Sequence, residues 1–375
     1  MIEIIEVKTK KDQKRFVEYP LKLYNGNPYF VPPFYADEMK MFTDKNIYSK
    51  TCDSAFFLAV RDGKVVGRIQ AIIQKQYNQI HNEKQVRFTR FDCENNVETA
   101  NKLFETVENW AKEKGMEKVV GPLGYSDLER EGLLIEGFDE LSTFEEQYSY
   151  EYYPKLVEEC GYVKDVDWVE SKIYKSDDPT LVDKVTRITE HALKKHNLHI
   201  AGKGLTKRKY IEKYKDGIFH CIDECYKDLY GTVPFTQEMI EQMVEQFMLI
   251  LNLKYIMTVC DENENVVAFG FCMPSISKAV QKSGGRLTPC TIIKLLKAVK
   301  NPEIIDLALI GILPTYRKSG LSAIGIHMIQ TMLEEGNVKY CETNLNLETN
   351  ANIQAQWKHF NSVQHKRRRS YIKNL

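Results

Sequence analysis

The sequence lacks an excess of charge of either sign. Among its 375 residues, Lys and Arg together count 52, and Asp and Glu also count 52, so the formal net charge is zero. A balanced chain has no overall field that would attract nucleic acid or an anionic membrane. We therefore expect neither of them as a partner, and any site for an anion must be built locally.

Long hydrophobic runs are also missing. The longest nearly apolar run, Ile304 to Leu313, is interrupted by Asp306. It falls well short of the ~20 residues that a membrane-spanning helix needs. The first residues do not combine a cationic start with an apolar core, so they do not resemble a signal peptide. These absences predict a cytoplasmic protein.

The cysteines form no pattern that is typical of a metal site. Nine of them are scattered along the chain without a CxxC pair, and Cys221 and Cys225 are spaced to share one face of a helix. We expect reduced, mostly buried thiols and no bound metal.

What the sequence does contain is one order of elements that occurs twice. In the first half, β-rich runs meet at a hairpin turn, Asp62–Gly63, and an amphipathic helix from Val97 ends at Gly115. In the second half, another hairpin turns near residues 262–265. A buried strand over residues 304–313 and an amphipathic helix follow it. The fold class is therefore predicted as α/β, with mixed, mostly antiparallel sheets flanked by helices (α+β mixed sheet).

A helix start marks the boundary between the halves. Asp177 or Asp178 is a suitable N-cap, and Pro179 suits the first turn of a helix. We accordingly predict two domains, residues 1–175 and residues 176–375.

The segment from Leu313 to Ala323, here called the Arg-Lys turn, joins the buried strand to the following helix. It places Arg317 and Lys318 before the small residues Ser319, Gly320 and Ser322. A helix N-terminus offers unpaired N–H groups to an anion, and small residues let the backbone approach it. The sequence therefore favours a pyrophosphate site. Because GxxxxGK[ST] is absent, an ordinary turn with a solvated Arg-Lys pair is the alternative.

Residues 310–323, "IGILPTYRKSGLSA", resemble the acetyl-CoA pyrophosphate motif of the GCN5-related N-acetyltransferases (GNAT). The motif reads Arg317-x-x-Gly320-x-Ser322, with serine in place of the usual glycine or alanine. Nearly the whole chain is similar to a group of bacterial tandem-GNAT proteins. The resemblance implies two tandem GNAT-like domains, of which only the second carries the motif. It also implies that residues 226–235 lie where the family places acceptor-binding helices.

The resemblance implies acetyl-CoA, or another acyl-CoA, as co-substrate and a small-molecule or peptide amine as acceptor. The residues that it assigns to the cofactor are Ile310, Gly311, Ile312, Leu313, Arg317, Lys318, Ser319, Gly320, Leu321, Ser322, Ala323, Asn350 and Asn352. In the first half, acidic residues (Asp92, Glu94 and Glu98) stand where a second pyrophosphate turn would lie and would repel it.

Three residues are candidates for the proton transfers that acyl transfer to an amine requires. The motif strand and the strand from Val338 are expected to splay apart, and Glu342, with Asp306 second, is the candidate base beside them. His359 is the candidate acid, because Trp357, which stands where the family often has a tyrosine, cannot supply a proton.

Alternatives to an N-acetyltransferase remain open at this point. One is a Fem-type aminoacyl or peptidyl transferase, which takes its donor from tRNA, and another is an acyl-CoA-binding module without catalysis. The basic segment Lys366–Arg369 is expected to form a solvated edge strand, near the 3′-phosphate of the cofactor, rather than a nucleic-acid site. The protein is expected to be a monomer or a homodimer.

Overall fold

The computed structural model describes all 375 residues and joins their strands into one continuous sheet of 14 strands. The strands of the first half are β1 (Ile2–Glu6), β2 (Cys52–Arg61), β3 (Lys64–Gln74), β4 (Gln85–Cys93), β5 (Lys118–Gly121), β6 (Leu133–Glu136) and β7 (Val163–Tyr174). Those of the second half are β8 (His199–Ile200), β9 (Ile256–Cys260), β10 (Val266–Pro274), β11 (Ile304–Ile312), β12 (Tyr340–Thr343), β13 (Asn346–Leu347) and β14 (Asn361–Asn374).

Twelve α-helices flank this sheet. They are α1 (Lys10–Leu23), α2 (Tyr35–Lys40), α3 (Lys75–His81), α4 (Val97–Glu113), α5 (Tyr153–Glu159), α6 (Leu181–Lys195), α7 (Lys207–Tyr226), α8 (Gln237–Phe247), α9 (Ser277–Gln281), α10 (Pro289–Lys300), α11 (Ser322–Glu334) and α12 (Ala351–Trp357). Helix α6 begins close to the predicted point, but Thr180 is its N-cap, and Asp178 instead accepts a hydrogen bond from the Thr180 N–H. No helix is both long enough and apolar enough to cross a membrane.

The two halves of the sheet repeat one connection pattern, as the sequence predicts. The strand order is β1-β2-β3-β4-β5-β14-β7-β12-β11-β10-β9-β8. Strand β4 pairs in parallel with β5, and β11 pairs in parallel with β12, while the other neighbours are antiparallel. A helix, α4 or α11, connects each parallel pair. The unit β11–α11–β12, which contains the Arg-Lys turn, therefore has a counterpart in β4–α4–β5.

The halves exchange their last strands at the middle of the sheet. Strand β7 ends the first half of the chain but pairs with β12 of the second half, whereas β14 ends the chain and pairs with β5 of the first half. The two exchanged strands also pair with each other. Each half of the sheet is thus completed by a strand from the other half of the chain.

The central position of β14 overturns one expectation. Lys366 and Arg368 were expected in a solvated edge strand, but their side chains are fully buried. The Lys366 Nζ donates to Glu170 Oε2 at 3.0 Å and to Glu342 Oε1 at 2.6 Å, and the Arg368 Nε donates to Glu170 Oε1 at 2.6 Å. The expectation is wrong because these cations meet carboxylates from β7 and β12, distant in sequence.

Candidate functional site

The N-terminus of α11 is left open by the Arg-Lys turn. Strand β11 ends at Ile312, a short 3₁₀ turn covers Pro314–Tyr316, and the Leu321 side chain provides no cap for α11. Four backbone N–H groups have no hydrogen-bond acceptor in the protein. They belong to Lys318, Gly320, Leu321 and Ser322. These donors, together with the positive end of the helix dipole, are suited to an anion.

The corresponding position in the first half is closed. There Asn96 caps α4, and its Oδ1 accepts a hydrogen bond of 2.9 Å from the Thr99 N–H. Glu94 lies beside this helix start and pairs with Arg61 at 2.7 Å. The open N-terminus of α11 is therefore a feature of this turn and is not shared by its counterpart.

Glycine is required at position 320 by the path of the backbone. Gly320 has φ +89°, a left-handed conformation that side chains disfavour. A Cβ atom there would lie 3.0 Å from Cγ2 of Ile188 in α6, so the turn rests directly on that helix. The close fit fixes the turn in the shape that leaves its N–H groups open.

The two cations of the turn are free of carboxylates. Arg317 and Lys318 are exposed, and neither forms an ion pair. The Arg317 guanidinium makes only a long hydrogen bond, 3.5 Å, to the Cys225 carbonyl. Both side chains are therefore available to an anionic ligand at the helix start.

Strands β11 and β12 separate at their carboxyl ends, as expected from the resemblance. Their parallel pairing ends at Leu307 and Thr343, and the following N–H of Asn344 donates to the Leu307 carbonyl at 3.2 Å. Beyond this point the chain forms β13, which pairs with β7 instead. The edge of β11 from Ala308 onwards is thereby opened.

Tyr226, the last residue of α7, covers this opened edge. Its hydroxyl donates to the Ile310 carbonyl at 3.0 Å and accepts from the Ile310 N–H at 3.1 Å. Burial raises the pKa of Tyr226, so the phenol stays protonated at neutral pH. The backbone of Ile310 on the open edge and the neutral phenol of Tyr226 are therefore in direct contact.

A cavity of about 360 Å³ adjoins the opened edge. Of its 42 lining residues, 30 are hydrophobic, and they come chiefly from α7, α8, β10, β11 and α11. Ile310 and Tyr226 are part of its wall. Met248, which follows α8, lines the cavity and is also exposed to solvent, so it lies where the cavity opens. A pocket of this size and composition suits an organic ligand with a large apolar part.

Besides Glu129, whose Oε2 accepts a hydrogen bond of 3.1 Å from the Tyr125 N–H, four carboxylates of the first half line the same cavity, and we call these four the carboxylate wall. They are Asp127, Glu131, Glu145 and Glu146. Burial raises the pKa of Asp127 to about 6, that of Glu145 to about 7 and that of Glu146 to about 8. Burial and the charge of Asp127 raise the pKa of Glu131 well above its usual value. Nothing in their sequence spacing indicated this cluster, because only the fold brings it against the second half.

Two of the predicted catalytic residues lie beneath the cavity, not in its wall. Glu342 and Asp306 are neighbours in the β11–β12 register, and both are buried. Burial favours a raised pKa for Glu342, but the charge of Lys366 and a hydrogen bond from His365 bring it below its usual value. Burial, followed by the charge of Glu342, raises the pKa of Asp306 well above the usual range.

The remaining predicted residues lie on or near α12. Asn350 lines the cavity and caps α12, accepting from the Ile353 N–H at 3.3 Å. Asn352 and His359 are exposed and do not line the cavity. The Trp357 Nε1 donates to Asn346 Oδ1 at 2.8 Å. The structure therefore brings Asn350 to the cavity and leaves His359 outside it. No cluster of three or more side chains able to hold a metal ion is present.

No protein-family model matches the chain. Protein YghO of Escherichia coli (strain K12) is 23% identical over 377 residues, covering 98% of this chain and 94% of that protein. A bacterial ceramide synthase of Caulobacter vibrioides (strain NA1000 / CB15N) is 26% identical over 313 residues, covering 81% of this chain and 79% of that one.

Solved structures resemble the chain over its full length. A tandem GNAT protein from the clavulanic acid biosynthesis pathway superimposes with a TM-score of 0.55 at 9% identity, covering 100% of this chain and 98% of its own. The glucosamine N-acetyltransferase region of a fungal multi-domain β-N-acetylglucosaminidase gives 0.54 at 11% identity, covering 100% of this chain and 38% of that one. The predicted resemblance and fold class are confirmed at the level of the fold: the chain has the tandem GNAT fold.

Proposed function

We propose that this protein is an acyl-CoA-dependent N-acyltransferase whose cofactor site is the Arg-Lys turn together with the open edge of β11. The observation that carries the proposal is the open start of α11, where four N–H groups without acceptors in the protein lie beside two unpaired cations. A pyrophosphate is the ligand that uses backbone donors, helix dipole and side-chain cations at once.

The same arrangement accounts for the rest of the cofactor. The turn follows directly from β11, so a pantetheine arm leaving the pyrophosphate would run along the edge that β12 no longer covers. The N–H and the carbonyl of Ile310 lie on that edge and are bonded to the Tyr226 hydroxyl, which a pantetheine amide would have to displace. Asn350 lines the cavity and Asn352 does not, so Asn350 is the better placed of the two predicted asparagines.

In the proposed reaction, the neutral nitrogen of an amine attacks the thioester carbonyl carbon. An amide bond forms, the carbon–sulfur bond breaks, the amine loses one proton, and CoA leaves as a thiol. The oxygen of the intermediate carries negative charge and needs donors in a site away from water. The Tyr226 hydroxyl is our candidate for such a donor, because a pantetheine amide that replaced it on Ile310 would leave the phenol free to donate to the oxyanion.

Two comparisons support acyl transfer to an amine. Both solved structures with the shared fold are described as GNAT proteins. The relative from C. vibrioides is named a ceramide synthase, and a ceramide is an N-acylated long-chain amino alcohol. The apolar cavity of this protein is compatible with a product of that general kind.

The predicted roles of Glu342, Asp306 and His359 stay predictions. Glu342 accepts from Lys366, and its lowered pKa makes it a weak base. Asp306 has an oxygen without a partner but does not line the cavity. His359 is exposed just after the end of α12.

Two assays test the proposal and separate it from its rivals. Calorimetry should show that the protein binds CoA, and an absence of binding would favour a Fem-type transferase with a tRNA-linked donor. A thiol-release assay with acetyl-CoA and longer acyl-CoAs, run over a set of amines, should show CoA release that depends on the amine. CoA binding without release for any amine would favour a binding module.

A further inference from the structure

We propose that the carboxylate wall binds the ammonium group of the acceptor and that the apolar cavity holds its hydrocarbon chain, which makes the acceptor a long-chain amine. This inference rests on the proposed function and assigns the acceptor site to residues from the first half of the chain. It therefore gives that half a part in the reaction.

The first argument is that three of the four carboxylates in the wall have an oxygen without a hydrogen-bond partner. Glu131 is 4% exposed and Glu146 is 2% exposed, yet Oε1 of Glu131 and Oε2 of Glu146 accept no hydrogen bond. Oδ1 of Asp127 and Oγ1 of Thr232, which also line the cavity, are unpartnered as well. A buried carboxylate without a donor is costly, and a cationic ligand with several N–H groups would remove that cost.

The second argument is that nearby cations do not satisfy the wall. The Arg87 guanidinium donates to the carbonyls of Gly124 and Gly231, at 3.2 and 2.8 Å. The Arg130 guanidinium donates to the Phe144 carbonyl at 2.8 Å. The Nε of Arg368 donates a hydrogen bond to Glu170 Oε1, and it lies 3.9 Å from Oε2 of Glu146. These arginines moderate the charge of the wall without donating a hydrogen bond to it.

The third argument is the contrast between this wall and the rest of the cavity. Apolar side chains of α7, α8 and β10 form most of the lining, with Lys215 of α7 as its one cation, whereas the carboxylates all come from residues 127–146 of the first half. Trp168 lines the cavity next to them, and an indole face attracts an ammonium group. A charged head and a hydrocarbon tail on one molecule match this division.

The wall can also accept the proton that the amine must lose. The acceptor enters as an ammonium ion, and a carboxylate with a pKa near neutrality can take one proton from it. Asp127, with a pKa of about 6, meets that condition at neutral pH, whereas Glu146, with a pKa of about 8, is then mostly protonated. The resulting neutral amine attacks the thioester, and the departing thiolate takes up one proton, so charge and protons balance.

The test measures amine binding without CoA, so that it does not depend on catalysis. Decylamine, decanol and decanoate, which differ only in the head group, are titrated into the full-length protein by calorimetry at submicellar concentrations. The variants are Glu131→Gln and the more accessible Asp127→Asn, with exposed Glu113→Gln in α4 as the matched control. A hexyl-to-decyl amine series tests the apolar part, with about fourfold tighter binding expected per CH₂ group.

We expect decylamine to bind at least tenfold more tightly than decanol, and decanoate to bind weakest. Glu131→Gln or Asp127→Asn should weaken decylamine at least tenfold and leave decanol and CoA binding unchanged, while Glu113→Gln changes nothing. Equal affinity for decylamine and decanol, or decylamine binding that both variants retain, would overturn the inference. A wild-type protein that binds decylamine but not CoA would instead refute the proposed function.

A second, independent observation concerns the surface of α10. Four large apolar side chains in or just before this helix are exposed: Leu287, Ile292, Ile293 and Leu296. Residues 275–302 contain no Asp or Glu but six cations, of which Arg286 pairs with Glu18 at 3.3 Å and five form no ion pair, namely Lys278, Lys282, Lys294, Lys297 and Lys300. We call this surface the α10 patch.

We infer that the α10 patch docks on a lipid bilayer that contains anionic lipid. An amphipathic helix with exposed aliphatic residues and lysines inserts shallowly at such a surface, and each cation near it adds attraction. The zero net charge of the chain makes the concentration of five unpaired lysines here a local feature. The inner face of α10 packs through Leu295 in the same apolar cluster as Ile250, close to the exposed opening at Met248. The patch thus lies on the side of the molecule where an amphiphile would enter.

Cys290 provides a probe for this contact, because it is the one exposed cysteine and eight others are buried or half-buried. An environment-sensitive fluorophore on Cys290 should shift to the blue with vesicles of phosphatidylcholine and phosphatidylglycerol, but not with phosphatidylcholine alone. The single variant Ile293→Ser and the double variant Lys294→Glu/Lys297→Glu should each reduce vesicle binding at least fivefold. The control variant Lys112→Glu on α4 should not reduce it. No vesicle binding by the wild-type chain, or a dimer that buries the label, would overturn this inference.

Discussion

The Arg-Lys turn can be tested by removing its cations while preserving its backbone. We consider the double variant Arg317→Gln and Lys318→Gln. Neither side chain forms an ion pair, and the only contact of Arg317 is a 3.5 Å hydrogen bond, so the substitutions remove little from the folded protein. A glutamate at Gly320 would be a less specific test, because φ +89° and the contact with Ile188 would strain the fold itself.

The expected loss follows from exposure. A charge-assisted hydrogen bond contributes about 1.5 to 3 kcal/mol when shielded from water, and less at an exposed site. For two exposed cations we expect about 1.5 to 3 kcal/mol in total, a rise in the Kd for CoA of about 10- to 150-fold at low salt. Screening shortens the reach of both charges to about 3 Å at 1 M salt, so wild type and variant should converge there.

Calorimetry with two ligands measures this effect. CoA carries the pyrophosphate, whereas pantetheine carries only the arm that would lie along β11. The double variant should lose affinity for CoA but not for pantetheine. The control variant Lys112→Gln, at an exposed position of α4, should keep its affinity for both ligands. If the double variant bound CoA like the wild type at low salt, or lost pantetheine to the same extent, the Arg-Lys turn would not be the pyrophosphate site.

Three further predictions concern the charges and the phenol around the site. Lys366→Met should lower the free energy of unfolding by about 3 to 5 kcal/mol in a denaturant titration, because it leaves Glu170 without its buried ammonium partner; a loss below about 1 kcal/mol would contradict this. The pKa of Asp127 is raised in the folded state to about 6, so the contribution of Asp127 to stability falls as pH rises from about 4 to 6. Asp127→Asn should therefore be more stable than wild type by about 1 to 2 kcal/mol above pH 6 and equal to it near pH 3. Tyr226→Phe removes the hydroxyl that donates to the Ile310 carbonyl and should lower kcat for acyl transfer at least tenfold with little change in CoA affinity, and an unchanged kcat would exclude the phenol as an oxyanion donor.

Local signals in the sequence were sufficient for the elements and for the Arg-Lys turn. Apolar runs, the Asp62–Gly63 turn and the helix ends predicted β2, β3, α4, β11 and α11 close to their observed bounds, because those elements form from contacts near in sequence. The turn was predictable for the same reason: small residues and a glycine at positive φ are needed within a few positions of one another.

The environment of charged side chains was not predictable in this way. Lys366 looks like a surface residue in sequence, and its burial depends on Glu170 and Glu342, which lie 196 and 24 residues away. The carboxylate wall poses the same difficulty, since its residues face a cavity made by the other half of the chain. A charged residue is predicted to be exposed unless its ion-pair partner is known. When that partner is distant in sequence, no local pattern identifies it.

The exchange of β7 and β14 explains how one chain can build a site from both halves. Strand β7 places Trp168 beside the cavity and Glu170 beneath it, and β14 delivers the cations that neutralise the buried acids. Because each half of the sheet is completed by the other's last strand, the first half cannot move away from β11 without unpairing β12 from β7. The carboxylates of residues 127–146 are therefore held at a fixed distance from the open edge of β11. Proximity of this kind is what an amine and a thioester need in order to react without a large entropic cost, and a first half that binds no cofactor would supply it through its position.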